Sequence, residues 1–148
     1  MKEQRKGGFL TAKIHQISGR VFAKLLKKHE IEINPAQGRI MFVLWKKDNI
    51  PIQELVEKTS LTKTTLTSML DRLESMGYIR RVPSQIDRRK INIQLTAKDQ
   101  ELHDKYRQVS QEMTELYYDG MSEAQRDQFD SYLEIIYQNL VEVEEAME

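Results

Sequence analysis

Side chains that could carry covalent or metal chemistry are few in this sequence and stand apart. The three histidines, His15, His29 and His103, are widely separated, and the chain has no cysteine. Disulfides, thiolate metal sites, a cysteine nucleophile and thiol redox sensing are therefore excluded. The spacings HExxH, GxSxG, GxGxxG and GxxxxGK followed by Ser or Thr are all missing, so zinc-hydrolase, nucleophile-elbow and phosphate-loop chemistry lack their residues. Carboxylates crowd the last third, but they recur as solvent-facing helix charges rather than as a pair in an apolar pocket. No catalytic residue, metal site or cofactor is expected, and the chain does not read as an enzyme. Two other clusters are chemically distinctive. Lys63, Thr64, Thr65, Thr67 and Ser68 gather small hydroxyls around one cation, with Arg72 following, and Asp87, Arg88 and Arg89 form a compact charged triplet.

Both clusters suit contact with a polyanion. Small polar side chains in the first turn of a helix let that helix sit deep in the major groove of a duplex and reach base edges or phosphates. The positive end of the helix dipole favours phosphate nearby. Arg72, further along the same helix, could reach a phosphate or hold a neighbouring acid. Arginines on an exposed turn suit a narrow, electronegative minor groove. Asp87 is placed to accept hydrogen bonds from Arg89, which would fix the guanidinium and lower the entropy lost on binding.

To act together these residues need a helix and a turn held close to it. From Phe9 to His29, Ile14, Ile17, Val21, Leu25 and Leu26 follow a helical period. Asn34-Pro35-Ala36-Gln37 then combines an N-cap, a proline suited to the first helical position and a glutamine able to close a capping box. That helix runs through Ile40, Met41, Val43, Leu44 and Trp45 and ends near Lys46 and Lys47, whose charges suit the helix C-terminus. Ile50-Pro51-Ile52 reads as an extended break, 53–58 as about two helical turns, and Lys58-Thr59-Ser60 as a turn without glycine. Thr62 can cap a longer helix with Leu66, Met69, Leu70 and Leu73 at helical spacing, closed by Met76-Gly77. Leu55, Leu66, Leu70 and Leu73 are expected to hold the two helices at a fixed angle.

After Gly77 the period shortens. Residues 78–82 and 90–95 read as strands, with Ile91, Ile93 and Leu95 expected on one buried face and 83–89 as the hairpin tip. Thr96 returns the chain to helix through Leu102, Tyr106, Val109, Met113 and Leu116. Ser122-Glu123-Ala124-Gln125 is a second capping box, opening a last helix with Phe129, Leu133, Ile136, Leu140, Val143 and Met147 on one stripe. Helix, turn, helix and basic hairpin in this order make a winged helix-turn-helix. The expected fold is mainly α, with about six helices and a small β-hairpin wing.

Length and charge fit this plan. The 148 residues, 39% hydrophobic and 31% charged, suit a single domain with a core and do not read as disordered. No stretch approaches the roughly 20 apolar residues of a membrane helix. The opening MKEQRKGGFL has no apolar run before a cleavage site, so a cytoplasmic protein is expected. The net charge is zero but uneven: +6 over residues 1–59, +5 over 60–98 and −11 over 99–148. A basic middle can meet a polyanion while the acidic end faces elsewhere.

The sequence resembles the MarR (multiple-antibiotic-resistance regulator) family of bacterial and archaeal transcription factors along nearly its whole length. The most specific stretch is LTKTTLTSMLDRLESMGYIRRVPSQIDRRKINIQLT, Leu61 to Thr96. Its leucine-spaced helix ending at Gly77, its Arg80-Arg81 pair and its Asp87-Arg88-Arg89 triplet match the family pattern, and INPAQGRIMFVL is similar to the family's second helix. The resemblance implies a DNA-binding lobe over about 34–95, with dimerisation helices over about 9–29 and 96–147. It also implies regulation of transcription, commonly repression, through a near-palindromic operator in double-stranded DNA. The family's Asp-x-Arg wing pair falls on Asp87 and Arg89, making Arg89 the expected minor-groove residue. One departure is plain: Leu95-Thr96 leads into Ala97-Lys98-Asp99-Gln100 without the glycine many members carry.

The terminal helices present apolar stripes longer than a monomer usually exposes. Packing them across a two-fold axis gives a homodimer whose recognition helices lie about 34 Å apart. Family members often hold a small aromatic or anionic ligand between stem and lobe, and such a ligand can shift the helix spacing. By this resemblance the pocket candidates are His15 and Arg20 on the first helix, Arg39, Met41 and Trp45 on the second, and Tyr106 after the wing. Met41 and Trp45 fit a helix core equally well. The alternative to a DNA-binding regulator is a winged-helix protein-interaction module without sequence-specific DNA binding. Lys63, Arg88 and Arg89 speak against it, because a module freed from phosphate need not keep cations there.

Overall fold

A computed structural model describes residues 3–148. The elements run α1 (Gly7–Lys28), α2 (Pro35–Lys46), β1 (Ile50–Pro51), α3 (Ile52–Thr59), α4 (Lys63–Ser75), β2 (Ile79–Pro83), β3 (Ile91–Leu95), α5 (Asp99–Tyr117) and α6 (Glu123–Met147). This is the winged helix-turn-helix expected from the sequence, and its helix ends are set by local chemistry. Asn34 Oδ1 accepts from Gln37 N at 2.8 Å while Gln37 Oε1 accepts from Asn34 N at 2.9 Å, closing the capping box of α2. Ser122 and Gln125 repeat the arrangement at α6. Thr62 caps α4 by accepting from Thr65 N at 3.2 Å. Gly77 follows α4 at φ 88°, a left-handed conformation that costs a residue with a Cβ about 1 kcal/mol or more.

The sheet contains one strand more than the hairpin read from the sequence. Ile50-Pro51 does not merely interrupt the chain; it pairs antiparallel with β3, Ile50 opposite Ile93 and Pro51 opposite Asn92. On its other side β3 pairs with β2, from Ile79 opposite Leu95 to Pro83 opposite Ile91. The strand order is therefore β1-β3-β2. The two-residue edge strand also explains a departure from the expected buried face. Ile93 is fully buried, but Ile91 lies beyond the last residue of β1 and keeps 45% of its surface exposed.

The described residues form two compact units that divide between Ser110 and Gln111. The core of the first is built from Leu26, Ile40, Met41, Leu44, Leu55, Leu66, Leu70, Leu73, Ile79, Ile93 and Val109, each at most 2% exposed. Every such leucine contributes about 1.5–3 kcal/mol by leaving water. Leu55 from α3 joins Leu66, Leu70 and Leu73 from α4 in this core, which fixes the helix-turn-helix pair as a rigid unit. Tyr106 packs so closely on α2 that a Cβ at Gly38 would meet its hydroxyl at 2.2 Å.

The second unit contains the end of α5 and all of α6. The rings of Tyr117, Tyr118 and Phe129 cluster within it. The Tyr118 hydroxyl donates to Asp130 Oδ1; that carboxylate, with desolvation second, pushes the phenol pKa up to about 12. Along α6 no residue is fully buried, and Tyr132, Ile135, Ile136, Leu140, Val143 and Met147 are exposed. No helix among the described residues is long and apolar enough to cross a membrane.

Candidate nucleic-acid interface

The turn that launches α4 works without glycine. Ser60 adopts the left-handed conformation at φ 58°, and its N–H donates to Val56 O at 3.0 Å. The buried Thr59 hydroxyl donates to Leu55 O at 2.6 Å and accepts from Leu61 N at 3.3 Å. One side chain thus ties the end of α3 to the segment before α4. Arg39 on α2 adds a long contact, its Nη1 lying 3.5 Å from Thr59 O.

From this start α4 divides into two faces. Leu66, Leu70 and Leu73 point into the core, while Lys63, Thr64, Thr65, Thr67, Ser68 and Arg72 are exposed. Thr65 Oγ1 accepts from the Thr62 hydroxyl at 2.9 Å, and Thr67 Oγ1 donates to Lys63 O at 2.8 Å. Those hydroxyls are held in place with acceptor capacity left for a partner. The first turn carries no acid, so nothing there offsets the positive end of the helix dipole.

Ser84 organises the wing tip. It is 7% exposed; its N–H donates to Lys90 O at 3.0 Å, and its Oγ accepts from Ile86 N and Asp87 N at 3.2 and 3.3 Å. Asp87 then receives Arg89 through three contacts: the backbone N at 3.1 Å, Nε at 3.2 Å and Nη2 at 3.4 Å. The Arg89 guanidinium, helped by its backbone N–H, holds the Asp87 carboxyl below its ordinary pKa. The arginine side chain itself remains 92% exposed, so it is oriented but not covered. Arg88 is exposed beside it.

A cleft of about 560 Å³ joins the two clusters. Its lining includes Lys63 from α4, Arg89, Lys90 and Ile91 from the wing side, and Pro51, Ile52 and Val56 from β1 and α3. The start of the helix and the arm of the wing therefore open onto one recess, in which Lys63, Arg89 and Lys90 outnumber the single acid, Glu57. Sequence reasoning named the Arg80-Arg81 pair but missed that Arg81 ties the wing strand to α4. Arg81 on β2 donates to Asp71 and Glu74 of α4 at 2.8 and 2.9 Å. Asp71 and Glu74 are thus taken by Arg81; the sequence marked the Arg80-Arg81 pair, but not which acids it would meet. Lys47 and Lys58 are both engaged by Glu54, at 3.3 and 3.0 Å.

The six ligand-pocket candidates are distributed unevenly. His15, Arg20 and Arg39 are exposed, and Met41 lies in the core with no exposed surface. Trp45 and Tyr106 do come together, with ring centroids 5.0 Å apart. Two residues not anticipated complete that cluster. Trp45 Nε1 donates to both carboxylate oxygens of the buried Asp99 at 2.9 Å, and His103 stacks on the indole at 4.5 Å and 6°. Burial raises the Asp99 pKa above the ordinary carboxyl value, with the indole N–H opposing the shift. Burial also pushes the Tyr106 hydroxyl up to about 12.

Residues 33–91, from the segment before α2 to the first residue of β3, match the model of the MarR family. The chain is 34% identical over 87 residues to the HTH-type transcriptional regulator TtmR of Methylorubrum extorquens, a match covering 59% of this chain. The chain spans 44% of the length of TtmR. Its fold is shared with a cysteine-to-serine mutant of Escherichia coli MarR solved with operator DNA: TM-score 0.78, 23% identity, 87% of this chain and 91% of that one. It is shared too with Bordetella bronchiseptica BpsR, whose DNA binding is regulated by 6-hydroxynicotinic acid: TM-score 0.82, 17% identity, 93% and 98% coverage.

Proposed function

We propose that this chain is a MarR-type, sequence-specific regulator of transcription that binds double-stranded DNA as a homodimer and acts as a repressor released by a small ligand. The observation that carries the reading is the common recess of Lys63 and Arg89, with the hydroxyl face of α4 on one side and the wing on the other. Lys63, Thr64, Thr65, Thr67 and Ser68 enter the major groove and meet base edges or phosphates. Arg72 meets the backbone. Arg88 and Arg89 reach the flanking minor groove, with Asp87 keeping Arg89 aimed. The chain works by binding and carries no catalysis, and its place is the cytoplasm, where its DNA is.

The apolar stripes of α1 and α6 supply the dimer contact. A small aromatic or anionic ligand is the effector class, by analogy with BpsR and its 6-hydroxynicotinic acid. The ring cluster of Trp45, His103 and Tyr106 supports an aromatic one. Arg20 and Arg39 are exposed cations that could meet an acid group, His15 is an exposed hydrogen-bonding side chain, and Met41 serves the core.

Selection of bound fragments from a random pool of duplexes tests the reading. The expected product is an inverted repeat with half-sites about one helical turn apart, bound with an affinity that falls steeply with salt. A pool that shows no enrichment above bulk DNA overturns it.

A further inference from the structure

Ile86 sits at the apex of the wing and is 100% exposed. An exposed apolar side chain is ordinary on a protein surface, but this one differs from the rest. Every other large exposed apolar residue among the described residues lies within a helix or strand. Ile86 is in an irregular tip, where small and polar residues dominate because they supply the turn. Its side chain contributes nothing to holding that turn. Ser84 Oγ fixes the backbone N–H groups of Ile86 and Asp87, and Lys90 N closes the loop onto Asp87 O at 2.9 Å. The result is a rigid tip presenting an apolar, β-branched side chain three residues before an oriented arginine.

We propose that Ile86 is the apolar contact of the wing with DNA, lodging against the deoxyribose walls of the minor groove while Arg89 faces its negative floor. The proposal rests on the duplex-binding reading above and names a further residue for it. The charge around the tip selects this occupant: Arg88, Arg89 and Lys90 follow in succession, and Arg89 shares its recess with Lys63 of α4. Apolar residues at such positions wedge against sugars or between base steps and widen the groove. Pyrimidine–purine steps yield to this most easily, so Ile86 adds preference for a deformable step beneath the wing without reading a base edge.

The test compares Ile86→Ser, Ile86→Leu and Arg89→Ala on the duplex most enriched from the random pool, with a TA step or an AA step placed under the wing. Ile86→Ser should bind about three- to tenfold more weakly at every salt concentration, leave the salt slope unchanged and narrow the preference for TA. Ile86→Leu should restore binding to within about twofold, and thermal unfolding of both variants should match the parent. Arg89→Ala should instead reduce the salt slope by about one. Ile86→Ser binding as tightly as the parent, while Arg89→Ala is weakened, overturns the role of Ile86 and leaves the DNA-binding reading intact. Loss of binding by Ile86→Ser to anionic phospholipid vesicles, with duplex binding unchanged, also overturns it. Failure of the parent chain to enrich any duplex removes the reading on which the proposal stands.

Discussion

Arg81 on β2 holds Asp71 on α4 through Nη2 and Oδ1 at 2.8 Å. The same guanidinium reaches Glu74 Oε1 at 2.9 Å, and the Arg81 backbone N–H donates to Glu74 Oε2 at 3.1 Å. The strand that carries the wing is thus fastened to the helix that carries the hydroxyl face. Single surface ion pairs contribute about 0–1 kcal/mol. Here one fork is shared between two acids and its side chain is only 21% exposed, so its main effect is to fix direction.

Arg81→Lys keeps the charge and loses the planar fork. It should lower stability by about 1 kcal/mol or less in urea unfolding and weaken duplex binding about threefold with the salt slope unchanged. Full binding by the lysine variant would mean that charge alone matters at this position, and the positioning role would fail.

Gly38→Ala tests the closeness of α2 to α5. The added Cβ would meet Tyr106 Oη at 2.2 Å and two ring carbons at 2.6 and 2.7 Å. A buried ring has little room to retreat, so a loss of about 1–3 kcal/mol is expected. Combining it with Tyr106→Leu should cost less than the sum of the two single changes, because the second substitution removes the clash. Strict additivity in urea denaturation would show that the two residues do not collide.

Local features of this fold were legible in the sequence, and long-range ones were not. The caps at Asn34, Thr62 and Ser122 and the stop at Gly77 depend on residues within four positions of one another, so their types declare them. The Asp87–Arg89 pairing is equally local, which is why the wing could be read before it was seen. The pairing of Ile50 with Ile93 joins residues far apart in the chain through backbone atoms, which side-chain types do not encode. Trp45 and Asp99 meet across a separation of 54 residues, and nothing near either one announces the other. Ser60 occupies a left-handed position without being glycine because the buried Thr59 hydroxyl supplies the turn's hydrogen bonds. Ile91 followed the alternation of β3 yet stayed exposed, since the alternation says nothing about how short the neighbouring strand is.

Asp99 sets a pH dependence with a definite sign. Burial raises its pKa above that of an ordinary aspartate, against the pull of the Trp45 N–H and the His103 charge, with Asp48 adding to the rise. The folded chain therefore keeps this proton to a higher pH than the unfolded chain does. Stability from this group is greatest below the unfolded value near 4 and declines as pH rises through the raised folded value. Asp99→Asn, which can still accept from the indole, removes that decline. Urea midpoints taken from about pH 3.5 to about pH 7 should show the asparagine variant gaining on the parent as pH rises. A constant difference across that range would contradict the raised pKa.

The α6 stripe makes a prediction about mass. Ile136 and Leu140 lie four apart on one face, 48% and 64% exposed, in a helix with no buried residue. Exposed apolar stripes of this length are characteristic of contact surfaces, and the same face repeated by two-fold symmetry covers itself. Sedimentation equilibrium of the parent at micromolar concentration should give twice 17.5 kDa. Placing glutamates at both positions, Ile136→Glu with Leu140→Glu, buries two uncompensated charges at such a contact, a cost of several kcal/mol. The variant should sediment at 17.5 kDa with its helical circular dichroism retained, since neither side chain serves an internal core. Its duplex binding should fall steeply, because each monomer reads one half-site and loses the other as a tethered partner. A parent chain that already sediments at the single-chain mass would remove the dimer, and with it the argument for a palindromic target.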